Sequence, residues 1–100
     1  MSKKRLENKG KIMNTVLLLM AQYETPVIPL NEIHERYFGI KTHEEAAKKA
    51  IHNDLPIPAM KLGGRKSPWL VNIVDLAAHI DKVTDEQRKR WAKINAANDP

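Results

Sequence analysis

The chain is 100 residues long, contains no cysteine and carries a formal net charge of +5 at pH 7. This length allows one domain with its own core, and the lack of cysteine excludes a disulfide framework and a thiolate metal site. The apolar run at 16–21 is far too short to cross a bilayer and no signal-peptide core follows the basic N-terminus, so we predict a cytoplasmic protein without a membrane partner.

The positive charge is unevenly distributed. Residues 1–12 hold five cations against one acid, whereas residues 13–100 hold twelve cations against eleven acids. The first segment is also polar and unpatterned, which predicts a flexible basic arm. In the remainder, cations cluster without acids at Lys61, Arg65 and Lys66, and again at Arg88, Lys89, Arg90 and Lys93. Clusters at defined places indicate nucleic-acid binding better than a high pI does.

Two short apolar segments open the patterned part of the chain. Residues 14–23 are rich in helix formers that Asn14 or Thr15 can cap, so we predict a helix there. A strand paired with residues 27–30 is the alternative. Two prolines, at positions 26 and 29, exclude residues 27–30 from the middle of a sheet, so this segment is predicted to be an edge strand.

A helix and a glycine turn follow the edge strand. Asn31 is predicted to cap this helix, which runs through about Phe38 and stops at Gly39. Ile40 then follows the glycine. It is the apolar residue that such a turn usually buries between two helices.

The next helix has a small apolar side and a basic side. Thr42 and Glu45 have the spacing of a capping box, and the helix is predicted to run to about Asp54, before two prolines. The residues predicted to face the core are Ala47, Ala50, Ile51 and Leu55. The opposite face carries Lys49 and His52, with Lys48 and Asn53 flanking them.

The segment 57–71 has the pattern of a β-hairpin with a basic tip. Apolar residues alternate on both sides of the tip, as half-buried strands require. Gly63-Gly64 allows the reversal, and Arg65 and Lys66 follow it at the tip. The residues predicted to be buried in the hairpin are Met60, Leu62, Trp69 and Val71, with Trp69 in the core beneath it.

Asn72 is predicted to begin a third helix. Its buried stripe is predicted to consist of Leu76, Ala77, Ile80 and Val83. Residues 84–87 again have the pattern of a capping box, which indicates a bend and then a final basic helix that frays at 96–100. Trp91 on this last helix is predicted to pack against the domain, with a partner surface as the alternative.

Two blocks of this sequence resemble the pyocin activator (PrtN) family. The first comprises residues 13–23, 26–30 and 37–39, and the second comprises residues 62–71 followed by Asp75-Leu76-Ala77. The resemblance covers about residues 13–82. It implies a small bacterial or phage transcription activator with an excisionase-like or MerR-like winged helix.

The predicted fold is therefore a winged helix-turn-helix, mainly α with a small β-hairpin. It has three parts: a flexible basic arm at 1–12, the winged-helix domain at 13–83, and a basic helix with a frayed tail at 84–100. In such a fold the second helix of the pair enters the major groove of DNA, and the wing reaches a neighbouring groove or the backbone.

Several side chains suit these contacts. Lys48 and Lys49 can bind phosphates or guanine, Asn53 can read adenine, and Arg65 can enter a narrow minor groove. Two acids at 44 and 45 leave the base contacts of the helix open. The predicted DNA-binding residues are Thr42, Lys48, Lys49, His52, Asn53, Lys61, Arg65, Lys66, Arg88 and Arg90. For Arg88 and Arg90, a solvated face or contact with an acidic partner such as RNA polymerase are the alternatives.

The predicted function is that of a sequence-specific regulator bound to double-stranded DNA with the bacterial nucleoid, an activator of phage or bacteriocin genes. A recombination directionality factor of the excisionase type, or an antirepressor that binds only protein, are the alternatives. One domain of this size gives a small interface. Two or more copies are therefore predicted to bind repeated or palindromic half-sites, associating through residues 16–21 or Trp91.

Catalysis, cofactors and metal sites are not predicted. The histidines, at positions 34, 43, 52 and 79, lack metal-type spacing with one another or with acids. They are interpreted as surface or cap residues. No serine stands at a nucleophile elbow, and Gly63-Gly64 is a turn pair and not a phosphate-binding loop.

Overall fold

A computed structural model describes residues 14–97, which form helices and two very short strands. The predicted arm at 1–12 and the last three residues of the predicted tail lie outside the described residues. In chain order the elements are α1 (residues 14–23), β1 (Val27–Pro29), α2 (Leu30–Phe38), α3 (His43–Ile51), β2 (Leu70–Asn72) and α4 (Ile73–Ala97). The protein is thus mainly helical with a small antiparallel sheet, as predicted, and residues 14–23 are a helix, not a strand.

The two strands connect the start of the domain to its last helix. β1 pairs antiparallel with β2, and Ile28 lies opposite Val71, both fully buried. Pro29, which lacks an N–H, lies opposite Leu70 at the edge of the sheet. The edge-strand prediction for this segment is confirmed.

One apolar core holds the helices around this sheet. The largest fully buried side chains are Ile28, Leu30, Ile33, Val71 and Leu76. Val16 and Leu19 bring α1 into the same core, and the Thr15 hydroxyl donates to a carboxylate oxygen of Asp81 at 2.7 Å. These contacts fix α1 against the first half of α4.

Two details of the helix pair differ from the sequence prediction. α2 begins at Leu30, so Asn31 lies inside its first turn and caps nothing. α3 ends at Ile51 and buries Ala46 and Ala50, whereas Ile51 is 64% exposed. The prediction for Ala50 is confirmed, but Ala46 is the second buried alanine in place of Ala47, which is only half-buried.

The predicted hairpin is a loop with a short base. Met60 and Leu70 exchange both backbone hydrogen bonds, at 2.7 and 2.8 Å, and form an isolated antiparallel bridge. Residues 61–69 lie outside any strand, and Leu62 is 65% exposed where burial was predicted. The principal partner of β2 is β1, not the segment before the loop.

α4 is one helix of 25 residues. The Asn72 side chain accepts from the Val74 N–H at 2.8 Å, which confirms the predicted start. The helix continues through residues 84–87, so the predicted second start there is wrong, and Val83 is 39% exposed although it was placed in the buried stripe. Every residue from 86 to 96 is exposed. Among the described helices, none has the length and apolarity needed to span a membrane.

Candidate nucleic-acid interface

The turn between α2 and α3 is held by a glycine and a histidine. Gly39 has φ of +69°, the left-handed conformation that ends a helix, and its N–H donates to the Glu35 carbonyl. His34 is buried. Its Nδ1–H donates to the Ile40 carbonyl at 2.6 Å, while its own carbonyl accepts from the Ile40 N–H. These bonds, together with the burial of Ile40, fix the chain where it passes from α2 to α3.

A threonine cap sets the start of α3. The Thr42 hydroxyl accepts from the Glu45 N–H at 3.2 Å, so the predicted cap is confirmed. Two acids, Glu44 and Glu45, occupy the first turn and Lys48 and Lys49 occupy the last. The N-terminal half of the exposed face is therefore acidic, and the C-terminal half is basic.

The lysines of α3 differ in their surroundings. Lys48 is two residues from both buried alanines of this helix, which places it in the middle of the outer face, and it is exposed. The Lys49 side chain is 37% exposed and its ammonium lies 3.7 Å from a carboxylate oxygen of Asp54. Lys48, which the sequence analysis placed at the flank, is thus the better-presented cation.

Two of the predicted contact residues follow the last turn of α3. His52 is the C-cap and is exposed. Asn53 has φ of +53°, so it belongs to the turn that leaves the helix and does not lie on its face. The predicted adenine contact by Asn53 would therefore come from this turn. Ile51 is exposed beside them, although the sequence predicted that it faces the core.

The loop 61–69 is closed by one of its own cations. The Lys61 ammonium donates to the Arg65 carbonyl at 2.7 Å and lies 5.0 Å from the centre of the Trp69 ring. The Ser67 N–H and hydroxyl both donate to the Gly64 carbonyl. Lys61 therefore helps to hold the shape of the loop. Of the three loop cations predicted to contact DNA, only the two at the tip have side chains without such contacts in the described residues.

Arg65 and Lys66 lie at the tip of the loop. Both are exposed, and within residues 14–97 no acid forms a salt bridge with either of them. Trp69 is half-buried and packs against the core cluster beneath the loop, as predicted.

The end of α3 adjoins the start of this loop. A groove of about 250 Å³ is lined by Ala50 of α3, by Asn53, and by residues 55–59 of the segment that leads from the helix into the loop. The described structure thus brings the last turn of α3 close to the base of the loop. The exposed residues of the two segments form what we call the α3–loop surface: Lys48, Ile51, His52, Asn53, Arg65 and Lys66.

The basic cluster of α4 is separate from this surface. Arg88 and Arg90 are exposed on the second half of the helix, where the Arg88 guanidinium lies 3.9 Å from Asp85. Trp91, predicted to pack against the domain, is 67% exposed. The partner-surface alternative is therefore the one that agrees with its position.

Sequence reasoning missed the role of His34. It was interpreted as a surface or cap residue, but it is buried and spans the turn. Its ring centre lies 6.2 Å from that of His43. Among the described residues, no three histidine, aspartate or glutamate side chains lie close enough together to hold a metal ion.

Comparison with known proteins identifies a family. A family model described as "Pyocin activator protein PrtN" matches residues 15–87, which span everything from α1 to the middle of α4. Neither the curated proteins nor the solved structures compared with the chain include a match.

Proposed function

The chain belongs to the pyocin activator (PrtN) family, and from this premise we propose that it activates phage or bacteriocin genes by binding double-stranded DNA through a winged helix-turn-helix. α2 and α3, joined by the turn at 39–42, are the helix pair, and the loop 61–69 is the wing. The proposed role is regulatory and not enzymatic, and it places the protein with the nucleoid in the cytoplasm.

The observation that supports this proposal most is the position of three exposed cations that form no salt bridge within residues 14–97. Lys48 lies on the outer face of α3, Arg65 and Lys66 lie at the tip of the loop, and the end of α3 adjoins the base of the loop. A duplex carries one negative charge per about 1.7 Å of axis, so two such groups on adjoining elements can bind neighbouring phosphates.

The charge of α3 indicates which part of the helix meets the duplex. Recognition helices commonly use their N-terminal residues, but here the first turn carries Glu44 and Glu45. We propose that the C-terminal half enters the groove, with Lys48 on phosphate or guanine and the exposed Ile51 against a thymine methyl.

The proposal gives each copy about five phosphate contacts, from α3, the loop and the α4 cations. The logarithm of the binding constant should then fall with the logarithm of salt concentration with a slope of about −4 to −5. The protein is expected to associate on DNA, and contact with RNA polymerase is a further role open to the exposed cations of α4.

Replacing the loop cations tests the wing. We expect Arg65→Ala with Lys66→Ala to weaken binding to duplex DNA at least tenfold and to reduce the salt slope by about 2, because two phosphate contacts are lost. Fluorescence anisotropy titrations at several salt concentrations, on a random-sequence duplex and then on fragments recovered by genome-wide footprinting, measure both quantities.

Lys82→Ala is the matched control for this experiment. It removes one exposed cation from the first half of α4, which lines a groove with residues 56–58 but is not part of the α3–loop surface, so it should change the affinity less than about twofold. Circular dichroism of each variant checks that it is folded. Unchanged DNA affinity in the double variant would remove the loop from the interface, and no complex with any duplex at low salt would refute DNA binding.

A further inference from the structure

The second half of α4 leaves an apolar stripe uncovered. Ile80, Val83, Gln87, Trp91 and Ile94 are three or four residues apart and therefore lie along one side of the helix. Ile80 packs partly against the core, but Val83, Trp91 and Ile94 are 39%, 67% and 56% exposed. Trp91 and Ile94 lie in the part of α4, residues 86–96, in which every residue is exposed. Two large apolar side chains there indicate a surface that another molecule covers.

The spacing of these residues is the same in both directions along the helix. Their spacings are three, four, four and three, so the stripe is symmetric about Gln87. Two copies of α4 packed antiparallel about a two-fold axis at Gln87 would set Ile80 opposite Ile94 and Val83 opposite Trp91 at both ends. A two-fold interface requires this self-complementarity, because each surface must fit its own copy.

The charges of the helix favour the same arrangement. Its first half carries Asp75, Asp81, Asp85 and Glu86 against a single cation, and its second half carries Arg88, Lys89, Arg90 and Lys93. Antiparallel packing sets the acidic half of one copy beside the basic half of the other, whereas parallel packing would set like charges together.

The structure also contains a place for the tryptophan. A groove of about 200 Å³ between α2 and α4 is lined by Arg36, Tyr37, His79, Ile80, Val83 and Thr84. Because Val83 would lie opposite Trp91, the indole of a second copy reaches this groove. There it would meet apolar side chains and the guanidinium of Arg36, which can stack on its face.

We infer that the protein forms a dimer with itself through antiparallel α4 helices, with Trp91 of each copy seated in the α2–α4 groove of the other. The paired region, residues 80–94, is about 21 Å long. Gln87 meets its own copy at the axis, where a polar pair fixes register and direction at some cost in stability. This dimer does not require DNA, so its test is independent of the proposed function.

The mass of the protein without DNA is the first test. Sedimentation equilibrium should show a dimer at micromolar concentrations, and Trp91→Ala should raise the dissociation constant about 30-fold or more, as the loss of a central aromatic contact does. Trp91→Phe, which keeps a ring, should raise it less. A wild-type chain that remains monomeric throughout, while circular dichroism shows it folded, would overturn the proposal.

Disulfide trapping tests the axis and the direction, and the lack of native cysteine makes each result unambiguous. Gln87→Cys should form a disulfide with its own copy on mild oxidation. Lys89→Cys should not, because position 89 is on the opposite side of the helix from 87 and 91. Ile94→Cys should not either, because the antiparallel arrangement separates the two copies of this residue by about 20 Å. Efficient trapping at 94 would show parallel packing.

A charge exchange tests the pairing itself. Glu86 and Arg90 each directly precede a stripe residue and so flank the stripe on the same side, which brings Glu86 within about 3 Å, along the axis, of the partner's Arg90. Glu86→Arg alone should weaken the dimer, and adding Arg90→Glu should restore it. If the double variant dimerises no better than the single variant, an unspecific apolar contact or another partner covers this face.

Discussion

His34 joins α2 to the turn before α3 with one side-chain hydrogen bond, from its Nδ1 to the Ile40 carbonyl. Replacing it with alanine leaves that buried carbonyl without its partner, so we expect His34→Ala to lower the free energy of unfolding by about 1–3 kcal/mol. Urea denaturation followed by circular dichroism measures this. His34→Asn keeps an N–H donor near the same place, so it should lower the free energy of unfolding less than His34→Ala does.

His52→Ala is the control for this substitution. His52 is exposed at the end of α3, so its removal should change the free energy of unfolding by no more than about 0.5 kcal/mol. If His34→Ala is no more destabilising than His52→Ala, the bond across the turn contributes nothing to stability.

Two glycines of similar exposure should respond differently to alanine. Gly39 has φ of +69° and open space where an alanine methyl group would lie, so Gly39→Ala costs only the left-handed conformation, about 1 kcal/mol. Gly64 has equally open space and no positive φ. Gly64→Ala should therefore leave the free energy of unfolding unchanged or raise it by about 0.4 kcal/mol. Thermal unfolding of both variants compares them directly, and equal effects would contradict this account of the turn.

At the scale of elements, α3 presents its two lysines unequally. Lys48 is exposed in the middle of the outer face, whereas Lys49 is partly covered and pairs with Asp54. We therefore expect Lys48→Ala to weaken DNA binding about tenfold, and Lys49→Ala to weaken it less. Titrations of both variants against the same duplex, at one salt concentration, measure the difference. A larger loss with Lys49→Ala would mean that another face of α3 meets the DNA.

The elements also show which features sequence can predict. Thr42, Gly39 and Asn72 were identified as helix boundaries because capping depends on one residue and its neighbours three or four positions away. The buried face of α3 was misassigned because alanines occur at both 46 and 47, so two faces one residue apart fit the same pattern. Only packing against α2 decides between them.

The prediction of a hairpin at 57–71 was wrong for a related reason. Met60, Leu62, Trp69 and Val71 alternate as strands do, but β2 finds its longer partner in β1, more than 40 residues earlier in the chain. No local pattern contains that pairing. The sequence therefore predicted which cations belong to the candidate site, but not how the fold exposes them or occupies them. No sequence pattern indicates that Lys61 binds the Arg65 carbonyl, or that His34 bridges the turn.

At the scale of the whole molecule, the dimer and the proposed function together predict the form of the binding site. A two-fold pair should recognise inverted half-sites whose centres are separated by a multiple of about 10–10.5 base pairs. Inserting roughly half a turn, about five base pairs, moves one half-site to the other side of the duplex. Affinity for that DNA should fall at least tenfold.

An insertion of one full turn, about ten base pairs, is the control, because it restores the relative orientation of the half-sites. Gel mobility shifts on the original and the two lengthened duplexes compare the three spacings. If both insertions are bound equally well, the copies act independently on DNA.

The two tryptophans of this chain lie in contrasting surroundings, since Trp69 is half-buried under the Lys61 ammonium and Trp91 is 67% exposed in a single copy. Their intrinsic fluorescence is therefore a pair of built-in labels. In a chain carrying Trp91→Phe the tryptophan emission comes only from the base of the loop, and in a chain carrying Trp69→Phe it comes only from the second half of α4. Contact with a duplex and contact between copies become separable optical signals, readable without attaching a dye.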